Sequence, residues 1–132
     1  MDKIKIGIKG TLETTVTPDK TARHLGSGGI DVFATPAMVA LMEGAAVAAI
    51  DPLLPEGQAS VGIDIHVKHL AATPLGKQVR AEAEVTGVDR RKVMFIVRAW
   101  DEHELIGEGE HIRFIIDLDR YIQRLAQKIN KP

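Results

Sequence analysis

Apolar residues near the start of the chain recur at alternate positions. Ile4, Ile6, Ile8 and Leu12 are all even-numbered, with Lys3, Lys5, Lys9 and Glu13 among the odd positions between them. A period of two predicts a half-buried opening strand, ended by Thr17-Pro18-Asp19. His24-Leu25-Gly26-Ser27-Gly28-Gly29 then reads as a flexible loop. At Thr35-Pro36 the pattern changes. Thr35 reads as an N-cap with proline at the first helical position, and the apolar run from Ala37 reaches Ile50 before Asp51-Pro52 closes it. Apart from Glu43 this helix is apolar on every side, so another element must wrap it.

The second half of the chain supplies that wrapper. Val61, Ile63, Ile65 and Val67 alternate with polar residues or glycine, as do Val79, Ala81, Ala83 and Val85. After a turn at Asp89-Arg90-Arg91 the alternation continues through Val93, Phe95, Val97 and Ala99, and a last strand runs from about Leu105 to Ile116. Leu118, Ile122, Leu125 and Ile129 then share one face of an amphipathic C-terminal helix, expected to pack that stripe on the body. The order predicts an α+β fold: one strand, a central apolar helix, then four strands in a meander, with a single antiparallel sheet curled around the helix. Met94, Ile96 and Trp100 are left on the outer face of their strand, which points to a homo-oligomer, a dimer or larger.

Composition narrows the function. The chain has 132 residues, enough for one domain spanning 1–132, and a formal net charge of −1 from 17 basic and 18 acidic side chains. That balance lacks the basic footprint of a nucleic-acid binder. With no cysteine, disulfides, thiolate metal sites and cysteine nucleophiles are excluded. The N-terminus has no continuous apolar run of the signal-peptide kind, and the Ala-rich segment Val32–Ile50, interrupted by Pro36, Glu43 and Gly44, reads as a buried helix rather than a membrane span. A cytoplasmic protein without a membrane partner is expected.

Three residues could carry chemistry. A carboxylate buried in an apolar helix costs several kcal/mol unless it is paired or protonated, so Glu43 reads as a buried, working group. His69 continues the odd-numbered apolar series of its strand and so points inward, where a carboxylate could orient it as a base. Thr35 places a hydroxyl beside the free N–H groups of a helix start, as nucleophile or as part of an oxyanion site. Parity argues against a metal, because His66 and His69 face opposite sides.

Three stretches carry a family resemblance: Phe33-Ala34-Thr35-Pro36-Ala37-Met38-Val39-Ala40-Leu41-Met42-Glu43, Val67-Lys68-His69-Leu70-Ala71-Ala72-Thr73-Pro74, and Gly107-Glu108-Gly109-Glu110-His111-Ile112-Arg113. Together they resemble hotdog-fold thioesterases of the fluoroacetyl-CoA thioesterase type, over nearly the whole chain. The resemblance implies a hotdog fold that dimerises with its active sites near the interface. It implies hydrolysis of an acyl-CoA thioester to acid and free CoA with no separate cofactor, by a catalytic Thr35, Glu43 and His69. Gly62 and Arg113 match positions that contact substrate in that family. The chain departs from the fluoroacetyl-specific pattern in one respect: Gly29 stands where a lid phenylalanine would be, so general thioester hydrolysis is expected rather than fluoroacetyl selectivity. Two rivals keep the fold, a hotdog hydratase or dehydratase and a non-catalytic acyl-CoA binder. Under any of the three, Arg90-Arg91-Lys92 could meet a CoA phosphate or be a solvated hairpin tip.

Overall fold

The computed structural model describes residues 2–131. Its strands are β1 (Lys9–Thr15), β2 (Gln58–His69), β3 (Gln78–Asp89), β4 (Lys92–Trp100) and β5 (Leu105–Asp117). A short helical turn, α1 (Ala22–Leu25), precedes the central helix α2 (Thr35–Ile50), and α3 (Leu118–Ile129) ends the chain. The strands form one antiparallel sheet in the order β1-β3-β4-β5-β2. The sheet packs against α2, whose buried residues include Met38, Met42, Ala45, Ala46 and Ile50. Opposite them lie Val79, Ala81, Ala83 and Val85 of β3 and Val93, Phe95, Val97 and Ala99 of β4, all at most 1% exposed. The alternation in these two strands therefore reads directly as their inner face. The helix long and apolar enough to suit a membrane is the one this sheet covers.

Several expectations need correction. The opening strand begins at Lys9, not Ile4; Ile4 is buried and Ile6 is exposed, on a segment that turns before the ladder starts. The glycine-rich loop opens with a helical turn. Thr21 Oγ1 accepts from the His24 N–H there, and Gly26 closes the turn at φ +74°, a left-handed cap. Only β3, β4 and β5 form a meander. β2 lies at the far edge beside β5, because its link to β3, residues 70–77, crosses the end of the sheet instead of making a tight turn. Met94, Ile96 and Trp100 are half-buried rather than bare, and the Arg80 guanidinium covers the Trp100 ring at 4.7 Å. Helix α3 has no buried residue at all; Ile122 is 58% and Ile129 81% exposed, so its stripe does not pack on the body.

The parity of β2 also departs from a simple alternation. Gly62 is opposite Arg113 but Asp64 is opposite Ile112, so Ile63 is an extra residue in a β-bulge. Before the bulge Ser60 and Gly62 share the side of Arg113. Beyond it Ile65, Val67 and His69 share the side of His111, Gly109 and Gly107. Ile63 itself is 50% exposed.

At Gly10 the first strand passes so close to α2 that a Cβ there would collide with the Ala45 carbonyl and the Ala49 backbone. Neither partner can move as a flexible side chain would. Gly10→Ala is expected to lower stability by about 1–3 kcal/mol, read as a fall in the urea midpoint, and an unchanged midpoint would contradict this approach.

Candidate active site

Helix α2 begins one residue earlier than its sequence suggests. The N-cap is Ala34, in extended conformation (φ −73°, ψ 142°), with Thr35 already helical and Pro36 beside it. Thr35 is therefore not the cap, and its hydroxyl does not bond the helix backbone. Its Oγ1 lies instead 2.7 Å from His69 Nδ1, at the end of β2. Burial holds the His69 ring below the ordinary histidine value, opposed by the nearby backbone of Ala71. The ring is thus neutral at pH 7, the state in which a nitrogen can accept a proton. Its Nε2 is buried and makes no hydrogen bond among the described residues. Around this pair is an open pocket of about 350 Å³ whose lining includes Ser27, Val32, Phe33, Leu70 and Ala71. The segment forming that rim is tied down by bridges from Phe33 to Thr21 and from Val32 to Pro74.

Glu43 is elsewhere. Eight residues along the helix from Thr35, it is displaced by about 12 Å. Its side chain is 39% exposed rather than buried, because the apolar surface of α2 ends where Glu43 faces the open edge at Gly62. Its partner is Arg113, with Oε2 3.7 Å from Nη1, and not His69. Gly62 makes this arrangement possible: a Cβ there would lie 2.6 Å from Glu43 Oε2 and 3.1 Å from His111 Cε1.

Arg113 is 6% exposed and held on several sides. Its Nε donates to Ser60 Oγ at 2.7 Å, its Nη2 donates to the Ser60 carbonyl at 3.0 Å, and its Nη1 lies 3.1 Å from His111 Nε2. The Ser60 hydroxyl in turn donates to Asp51, whose other oxygen accepts from the Ser60 N–H. A buried guanidinium is costly unless its donors are met, and this cradle meets them. Sequence reading found Arg113 and Gly62 but missed Ser60, Asp51 and His111. His111 was legible, since it has the parity of Arg113 on β5. Ser60 was hidden by the bulge.

The chain therefore carries two separate candidate half-sites, Thr35–His69 at one end of α2 and Glu43–Arg113 further along it. A larger depression of about 590 Å³ lies on the outer sheet face among His66, Lys68, Arg98, Glu108 and Glu110. It borders neither half-site, and its walls mix acid and base, so it offers no such chemistry.

Comparison with known proteins identifies the family. The family described as fluoroacetyl-CoA-specific thioesterase matches residues 16–119. The chain belongs to this family. It is a hotdog-fold thioester hydrolase with an acyl-CoA substrate. It is 39% identical to the fluoroacetyl-CoA thioesterase of Streptantibioticus cattleyicolor, over 96% of each chain. The crystal structure of a point mutant of a fluoroacetyl-CoA-specific thioesterase superposes with a TM-score of 0.89 at 39% identity, covering 97% of this chain and 99% of that one. A thioesterase superfamily member from Thermus thermophilus superposes with a TM-score of 0.88 at 32% identity, covering 98% of this chain and 95% of that one. A hot-dog-like protein from Thermanaerovibrio acidaminovorans gives 0.89 at 25% identity, with 98% and 96% covered.

Ser60 joins Arg113 to Asp51, so its hydroxyl is expected to matter more than a surface serine. Ser60→Ala leaves both partners short of a hydrogen bond and should cost about 1–3 kcal/mol in urea unfolding; a loss within error of zero would remove Ser60 from the cradle.

Proposed function

We propose that this chain hydrolyses small or medium acyl-CoA thioesters, with His69 as general base for the Thr35 hydroxyl. The observation that supports this reading is the 2.7 Å contact between Thr35 Oγ1 and His69 Nδ1 in an open pocket. As Thr35 Oγ attacks the thioester carbonyl its proton passes to His69, and the CoA thiolate leaves with that proton. Water activated by the same ring then releases the acid and restores Thr35. Glycine at position 29 has no side chain, so this position supplies no aromatic lid and no selectivity for a fluorinated acyl group is assigned.

The half-site at Glu43 is brought into this reading through a homodimer. β2 is a twelve-residue strand on an open edge, with unpaired backbone donors and acceptors. With a two-fold axis between Ile65 and His66, antiparallel pairing of two β2 strands would bring Gly62 of one beside the His69 end of the other. Glu43 of the partner subunit then stands at the mouth of the Thr35–His69 pair and supplies a negative charge that His69 lacks within its own subunit. The cytoplasm, where acyl-CoA is made and consumed, suits such an enzyme.

A panel of acyl-CoAs with thiol detection tests the reaction. Thr35→Ala, His69→Ala and Glu43→Ala are each expected to lower kcat/KM by about 10²–10⁴-fold in folded protein. Full turnover in all three would sink the assignment. Intact mass after a slow substrate should show an acyl group on Thr35, and burst kinetics without any adduct would make Thr35 a water-positioning group. Light scattering should give twice the 14.4 kDa chain mass, and Ile63→Arg on the open edge should return the monomer; a monomeric, active wild type would overturn the shared site.

A further inference from the structure

His111 is a buried titratable group that the mechanism above does not use. It is 1% exposed, on the inner face of β5, with its ring 5.9 Å from that of Phe95 at an interplanar angle of 27°. Both ring nitrogens are engaged. Nδ1 lies 2.7 Å from the Asp64 carbonyl, which can only accept, so Nδ1 carries the proton. Nε2 lies 3.1 Å from Arg113 Nη1, which can only donate, so Nε2 presents its lone pair. Two neighbours of opposite character thus select one tautomer of a neutral ring. The Asp64 carbonyl is the first beyond the bulge, where the register resumes opposite Ile112, so the extra residue sets its place beside His111.

We propose that His111 is a positioning residue for Arg113, holding Nη1 at the Glu43 end of the site and losing that grip when the ring is protonated. The kinetic part rests on the thioesterase reading; the tautomer and the acid sensitivity do not. Of the five guanidinium N–H groups, those on Nε and one on each of Nη1 and Nη2 are taken by Ser60 and His111. The second Nη1 proton is on the nitrogen 3.7 Å from Glu43, free for a carbonyl or carboxylate oxygen of the substrate. A protonated His111 would turn a donor toward a donor and a cation toward a cation.

The surroundings of the ring fix the direction of the effect. From β2 the Asp64 carbonyl meets the ring, while the Asp64 carboxylate, 2.9 Å from His66 Nε2, acts from the opposite side of the strand; from α2 comes Glu43; from β5 comes Arg113, which shares Ser60 with Asp51. β4 contributes the uncharged Phe95. Burial lowers the proton affinity of His111 below the ordinary value of 6.5, with Arg113 adding to that and the Asp64 backbone, Glu43 and Asp64 opposing it. Between the folded value and 6.5 the unfolded chain therefore holds more protons, and stability falls as pH falls through that window.

The test compares wild type with His111→Gln, whose amide oxygen can accept at the Nε2 position without titrating, and with His111→Phe, which keeps the ring and loses the acceptor. At about pH 7.5 the Gln variant should keep a near-wild-type KM for acyl-CoA while the Phe variant raises it about tenfold, with kcat changed less in both. As pH falls below the folded proton affinity of His111 the wild-type KM should rise, and that of the Gln variant should stay flatter. The same flattening should appear in urea midpoints against pH, which need no activity. In wild-type protein, imidazole ¹⁵N shifts should report the Nδ1–H tautomer of a neutral ring. An Nε2–H tautomer, equal acid dependence in wild type and the Gln variant, or a wild-type KM in the Phe variant would each overturn the proposal. If no acyl-CoA is hydrolysed, the thioesterase reading fails while the ¹⁵N and stability arms still decide the role of His111.

Discussion

Both halves of the candidate site depend on a single extra residue in an edge strand. A strand that alternates without interruption cannot direct Ser60 and Gly62 to the same face as Ile65, Val67 and His69, because their numbers differ in parity. The bulge at Ile63 removes the conflict. Upstream of it the inner face carries the Ser60 support for Arg113 and the bare backbone of Gly62 that leaves room for Glu43. Downstream it carries His69 to the start of the central helix, within hydrogen-bond distance of Thr35. Ile63 takes the strain-relieving position and faces outward, half exposed.

The electrostatics of the two ends differ in kind. Around Thr35 the side chains are neutral: a hydroxyl, an imidazole whose proton affinity burial lowers, and a mixed lining without a charged side chain. Around Arg113 it is ionic. A buried guanidinium is satisfied by a serine, a backbone carbonyl and a histidine lone pair, with Glu43 and Asp51 near enough to favour its charge. A thioester substrate needs both kinds of surroundings, one to move a proton and one to hold an oxygen as charge develops on it.

Much of the fold was legible in the chain itself. The odd positions of β3 up to Val85 and those of β4 are all buried, and the Arg90-Arg91 turn lies where the alternation breaks. The central helix was legible because nothing but a covered element tolerates so apolar a run. Three things were not. Periodicity carries no information about which neighbour a strand chooses, so β2 was placed in the meander when it forms the outer edge. It is also blind to an inserted residue, which hid Ser60. Glu43 showed a third limit: a charge on an apolar helix signals an unusual environment, but one that can be an open edge with an arginine instead of an enclosed core. The uncovered α3 stripe was similar, since amphipathicity states that a face needs cover without stating by which part of which molecule.

The start of the central helix shows a trade between function and stability. Most helices of this length satisfy their first free N–H groups with a serine, threonine, asparagine or aspartate at the cap, worth about 1 kcal/mol. Here Ala34 occupies the cap, fully buried and without a side-chain hydrogen bond, while the one hydroxyl nearby is turned toward a histidine. The fold has left that stabilisation unclaimed where the chemistry is placed. A serine or aspartate cap would have to be built at position 34, where the side chain is fully enclosed, so the helix start is held by apolar packing and by its proline instead of by a capping hydroxyl.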